Sequence, residues 1–233
     1  NSNVAVGLNA LAANVSGGSN TAIGTNTLAA QNTSGTAADT YNVAIGDGAG
    51  KSILGGAVNT LVGALSGDAI TNGDYNTTLG VSTLGANTAS NKNTAIGGNS
   101  MVAFNVTTDT DTFNTAVGYG SGEAITTGVQ NTLIGGLAGD ALEDADKNVA
   151  FGYAALTSDT LGSRSVAIGN NALNAQNFTT ATDTYNTAVG NNAGEAITAG
   201  IGNTLIGGLS GDVLQNSDSN TAIGYLSLTS DTL

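Results

Sequence analysis

A five-residue phrase, Asn-Thr/Val-Ala/Leu-Ile/Val-Gly, returns thirteen times on a nearly fixed beat, and it constrains this chain more than any other feature. It opens at Asn3, Asn20, Asn42, Asn59, Asn76, Asn93, Asn114, Asn131, Asn148, Ser165, Asn186, Asn203 and Asn220. The steps are 17, 22, 17, 17, 17, 21, 17, 17, 17, 21, 17 and 17 residues. So short a period means one structural unit per repeat, stacked along an axis, without a closed globular core. A second rhythm overlies the first. Asn42, Asn114 and Asn186 begin equivalent blocks 72 residues apart, each preceded by a longer coil.

The phrase reads as a short β-strand ended by glycine, with side chains alternating between faces. Thr/Val and Ile/Val/Leu/Phe share one face, as in Val43 and Ile45 or Thr115 and Val117. The residue between them points the other way and is mostly Ala (Ala44, Ala116, Ala167), or Leu in one coil type (Leu61, Leu133, Leu205). Both faces are apolar, so such strands are expected to be covered on both sides. One coil closes around only one of them, and the cheapest cover for the other is a second copy of the chain. The glycine turns the chain, because only Gly enters positive φ without steric cost. Three residues later comes a small residue (Ala49, Ser66, Thr83, Ser100), then Leu or Met in two successive coils and Gly in the next two. That alternation predicts a narrow core of shape-matched layers. Segments such as Ala124-Ile125-Thr126 and Ala196-Ile197-Thr198 suggest a second short strand. The expected fold is therefore all-β, a parallel β-roll or β-solenoid of thirteen coils of 17 (or 21–22) residues. Residues 1–233 are read as one repetitive segment, expected to be a window of a longer fibre.

Composition narrows the function. With 35 Gly and no Pro, Cys, Trp or His, the usual nucleophilic triads have no base. A formal charge of −13 with only four Lys and Arg argues against nucleic acid, whose phosphates need cations. No apolar run approaches the roughly 20 residues of a membrane span.

The Asn that opens twelve of the thirteen phrases (Asn3 through Asn220) is expected to form an internal amide ladder satisfying turn backbone groups. Ser165 is the substitution the ladder tolerates. Carboxylates occur as Asp109 with Asp111, as Glu143 with Asp144 and Asp146, and as Asp68, Asp140 and Asp212 at 72-residue intervals. None has the Gly-punctuated spacing of a calcium loop, and Glu123 and Glu195 have Lys51 in the equivalent place. They read as a solvated acidic surface, with no catalytic, metal or cofactor site. The longer coils carry inserts at 36–40, 108–112 and 180–184, each followed by an aromatic residue: Tyr41, Phe113 and Tyr185. These three are the candidates for contact with an outside ligand.

Ser165-Val166-Ala167-Ile168-Gly169-Asn170-Asn171-Ala172, and Asn-Thr-Ala-Ile-Gly followed by a small residue three positions on, resemble the head repeats of trimeric autotransporter adhesins, the YadA-like β-roll. Phage tail-fibre repeats are similar in style. The resemblance covers essentially the whole chain, although its coils are longer than is typical of the family and its 72-residue super-repeat is not the plain head pattern. It implies a left-handed roll, a homotrimer with the second apolar face at the three-fold centre, and an extracellular place on a cell surface or virion. The function expected on these grounds is a non-catalytic structural or adhesive fibre segment, with itself and a host-surface or glycan ligand as partners. A self-assembling extracellular filament is the alternative. A single-chain lattice- or ice-binding solenoid ranks lower, because the phrase Thr gives way to Val at Val4, Val43, Val149 and Val166.

Overall fold

The computed structural model describes residues 2–33 and 38–229. The chain divides into two compact units, Asn1–Asn114 and Thr115–Leu233. In the first, the phrase strands Val4–Val6, Thr21–Ile23, Val43–Ile45, Thr60–Val62, Thr77–Leu79 and Thr94–Ile96 pair in parallel, each with the next in sequence. In the second, Thr115–Val117, Thr132–Ile134, Val149–Phe151, Val166–Ile168, Thr187–Val189, Thr204–Ile206 and Thr221–Ile223 do the same. Both units are all-β, with no helix among the described residues, and the thirteen coils make a β-solenoid.

Backbone hydrogen bonds run between coils, from Val43 N–H to the Asn59 carbonyl at 2.8 Å and from Gly63 N–H to the Ile45 carbonyl at 2.8 Å. The longer coils leave this register intact. Thr21 pairs with Val43 across 22 residues and Val166 with Thr187 across 21. The extra residues leave the coil in the return loop and rejoin it through two-residue parallel pairings. Ala38–Asp39 lies on Gly17–Gly18, Thr110–Asp111 on Ser90–Asn91, and Thr182–Asp183 on Gly162–Ser163. Of the first insert, residues 36 and 37 lie outside the described residues. The segments around Ile125 and Ile197 are not strands. Their isoleucines are fully buried, but the chain there is already turning, so the apolar residue marks a core position without extended backbone.

Each coil turns by left-handed backbone at fixed places. The phrase glycines have φ between 116° and 145°, a region that side-chain-bearing residues rarely enter. Gly135 shows the second reason for glycine: a methyl in place of its hydrogen would lie 2.3 Å from the Gly152 carbonyl oxygen of the next coil. Three further positions per coil are also left-handed: just before the phrase, and six and eight residues after its opening. Non-glycine residues there include Tyr75, Leu65 and Leu84, with φ of 57°, 55° and 51°.

The middle residue of the phrase faces inward. Ala44, Leu61, Ala116 and Leu133 are fully buried. Core volume is conserved by exchange between positions. Where Gly50 and Gly67 occupy the eighth position, Leu61 fills the space, its Cδ atoms 2.7 and 2.9 Å from where a glycine methyl would stand. Those coils bury Ile53 and Ile70 three residues further on. Where Leu84, Leu156 or Leu173 occupies the eighth position, the later site holds Asn87, Asp159 or Gln176 instead. Each level buries one or two large apolar side chains, two where Leu61 accompanies Ile70 or Met101 accompanies Phe104, and so thin a core leaves little room for further aromatics.

Candidate functional site

A buried amide row lies just inside the phrase strands. Asn59 accepts the Asn76 N–H on Oδ1 at 2.9 Å, donates from Nδ2 to the Gly73 carbonyl at 2.8 Å, and gives its own N–H to Asn42 Oδ1 at 2.9 Å. Asn148 and Asn203 repeat these contacts in the second unit, and Asn186 repeats the first two. At Ser165 the shorter side chain is supplemented by Gln176. Its Nε2 donates to Ser165 Oγ at 2.8 Å and its Oε1 accepts from Asn186 Nδ2 at 2.9 Å. Every polar arm in this row is turned inward onto the chain, so the row offers nothing to a ligand.

Many of the carboxylates also serve neighbouring groups of the chain. Asp111 pairs with Lys92 and Asp183 with Arg164, while Asp68 pairs with Lys51 at 2.8 Å. Asn91 Nδ2 donates to Asp109 at 2.7 Å, Asp144 accepts from Thr127 Oγ1, and Asp146 accepts the Val129 N–H. The Lys92 hydrogen bond holds the Asp111 carboxyl below its ordinary pKa. Burial raises that of Asp74, which accepts the Ala57 N–H. Asp159, not foreseen from sequence, is fully buried and accepts from Gly162 N–H, Phe178 N–H and Gln176 Nε2. It closes a turn, as Asn87 does by accepting the Ser90 N–H. Among the described residues no group of three His, Cys, Asp or Glu side chains is placed to hold a metal ion, and no helix is long and apolar enough to cross a membrane.

Two surfaces remain open. The first is the outward face of the phrase strands. Ile23, Ile45 and Leu79 in the first unit, and Phe151, Ile168 and Ile206 in the second, are each more than a third exposed. No strand of the phrase carries a charged residue, although the chain has 21 charges in all (17 Asp and Glu plus four Lys and Arg). An apolar stripe without charge stands out on so acidic a protein, where singly scattered apolar residues would be ordinary.

The second is aromatic. Tyr41, Phe113 and Tyr185 stand at the left-handed position before the phrase, all at least half exposed. The Tyr41 and Tyr185 hydroxyls donate to Asp39 and Asp183 at 3.3 Å. Lys92 lies 5.2 Å over the Phe113 ring and Arg164 5.7 Å over Tyr185. Sequence reasoning tied these aromatics to the inserts and so overlooked Tyr75, which occupies the same coil position without an insert. It also missed Tyr119, Tyr153 and Tyr225, one residue past the phrase glycine. All six tyrosines fall at only these two coil positions, with exposures from 56% for Tyr75 to 73% for Tyr225. The signal was available as an offset from the phrase.

No family model matches the chain, and no curated protein or solved structure is significantly similar to it.

Proposed function

We propose that the chain is a non-catalytic structural and adhesive segment of an extracellular fibre. In this reading three parallel copies form a left-handed roll with their outward strand faces turned together. The observation that carries it is the exposed, charge-free stripe of Thr/Val and Ile/Val side chains, repeated coil after coil in each unit. Copies carrying a formal charge of −13 repel one another over most of their surface. The stripe is where that repulsion is weakest and apolar burial is available. Because every copy has the same coil pitch, each Ile meets an equivalent side chain at every level, which suits a closed symmetric assembly. The extracellular location rests on the likeness of the repeats to trimeric adhesin heads, and the adhesive role on the exposed aromatic rows. Ile168→Glu places a carboxylate in the middle of the stripe, where assembly would strip its water at a cost of several kcal/mol. Light scattering after size exclusion should then show single chains for Ile168→Glu and assemblies for the parent. Equal masses for the two proteins would remove the stripe from the interface.

A further inference from the structure

We propose that Tyr41, Tyr75 and Phe113 form a stacking track for an extended, neutral β-1,4-linked polysaccharide. The track goes beyond the fibre reading and does not depend on the number of chains.

The three rings occupy one coil position in one compact unit, with Val58 and Lys92 at the intervening levels. Successive rings are thus two coils apart, about 9.6 Å at the usual strand spacing. In an extended β-1,4-linked chain each pyranose is flipped relative to the last, so every second ring offers the same C–H face. The disaccharide repeat of such a chain is close to the two-coil spacing. Those C–H faces complement the electron-rich face of an aromatic ring.

The fold itself does not need aromatics here. The same place is held by Ser19, Gly202 and Ser219 in other coils, and it requires positive φ, with Tyr41, Tyr75 and Phe113 at 52°, 57° and 53°. A bulky side chain in that backbone region is disfavoured. More than half of each tyrosine remains in water, so burial does not offset the cost. Exposed aromatics held in a disfavoured conformation point to an external contact.

The surroundings select the ligand's chemistry. Asp39 beside Tyr41, Asp74 beside Tyr75 in sequence and Asp111 near Phe113 supply acceptors for sugar hydroxyls, and Lys92 supplies a donor. Three carboxylates against one ammonium disfavour an anionic glycan. The row is apolar from Tyr41 through Val58 to Tyr75 but is broken by Lys92 and flanked by carboxylates, which suits a hydroxyl-rich polymer of matching repeat better than the charge-depleted centre of a protein interface.

The test is isothermal titration of the full chain with cellohexaose and chitohexaose, with maltohexaose as the bent isomeric control and a polyuronate as the anionic one. Binding of either β-1,4 hexaose is expected, with maltohexaose about tenfold weaker or worse. Tyr75→Ser, which installs a residue the repeat already uses there, should cost about tenfold or more in affinity. Gln130→Ser, at the same coil position in the other unit and replacing no aromatic ring, should leave affinity within about twofold. Circular dichroism confirms that both variants keep the fold. Absence of binding by both β-1,4 hexaoses at millimolar concentration overturns the proposal. So does equal binding of maltohexaose, preference for the polyuronate, or unchanged affinity in Tyr75→Ser.

Discussion

Replacing Asn59 with alanine removes one rung of the buried amide row and leaves its partners in place. The Asn76 N–H loses its acceptor at 2.9 Å and the Gly73 carbonyl loses its donor at 2.8 Å. Asn76 is fully buried and Gly73 is buried, so water does not replace either bond. At about 1–3 kcal/mol for each orphaned buried group, the expected loss is about 2–6 kcal/mol. A solenoid distributes such a loss mainly over the altered coil and its neighbours, so local opening should report it before global unfolding does. Amide hydrogen exchange read by mass spectrometry should show residues 73–76 exchanging at least about thirtyfold faster, the factor that corresponds to about 2 kcal/mol. Asn59→Ser should be nearly as harmful, despite the serine at Ser165. There Gln176 completes the network, whereas the equivalent residue after Asn59 is Ile70. Adding Ile70→Gln to Asn59→Ser should restore part of the protection. An Asn59→Ala protein whose exchange at 73–76 is unchanged would refute the view that the amide row holds adjacent coils together.

Gly135→Ala should destabilise by about 2–6 kcal/mol, combining an alanine at φ 136° with a contact 2.3 Å from a backbone carbonyl that cannot rotate away; urea denaturation followed by circular dichroism checks this, and a neutral result would mean the coils are not stacked this closely. The pKa of Asp74 is raised by burial, so its contribution favours the fold most below the ordinary carboxyl range and is lost as pH rises through the raised value. Asp74→Asn, which keeps an acceptor for the Ala57 N–H, should therefore gain relative stability at neutral pH and lose that advantage on acidification. A difference independent of pH would contradict the desolvation account. Asp111 works the other way, since Lys92 lowers its pKa: its contribution is present above the unfolded pKa and lost as pH falls through the folded one. Because Asp111 is exposed to solvent, which screens the pair, Asp111→Asn should alter the pH profile only slightly, measured by the same denaturation series.

Much of this fold was legible in the phrase alone. Strand, turn and stacking register follow from Asn-Thr-Ala-Ile-Gly because alternation, glycine and period each act over a few residues. The exchange between Gly50 and Leu61 was half visible as a rhythm of small and large residues, but the complementary site at Ile53 or Gln176 was not. That pairing is spatial, between positions whose neighbours lie a coil away. Ile125 and Ile197 looked like strand residues because short apolar runs carry no period that separates a strand from a buried turn. The left-handed backbone at Leu84 and Tyr75 was also hidden, since nothing in a leucine or tyrosine announces positive φ. For the surface, the inserts drew attention to Tyr41, Phe113 and Tyr185 and away from Tyr75. Only alignment by coil position shows that the four share one place in the repeat.

Sedimentation equilibrium over a wide concentration range tests the trimeric fibre reading most directly. The account predicts a constant mass of three times the 22.6 kDa chain. A mass of one chain at every concentration would contradict it and leave the apolar stripe without a partner. A mass that climbs without limit would contradict the closed trimer in favour of an open filament.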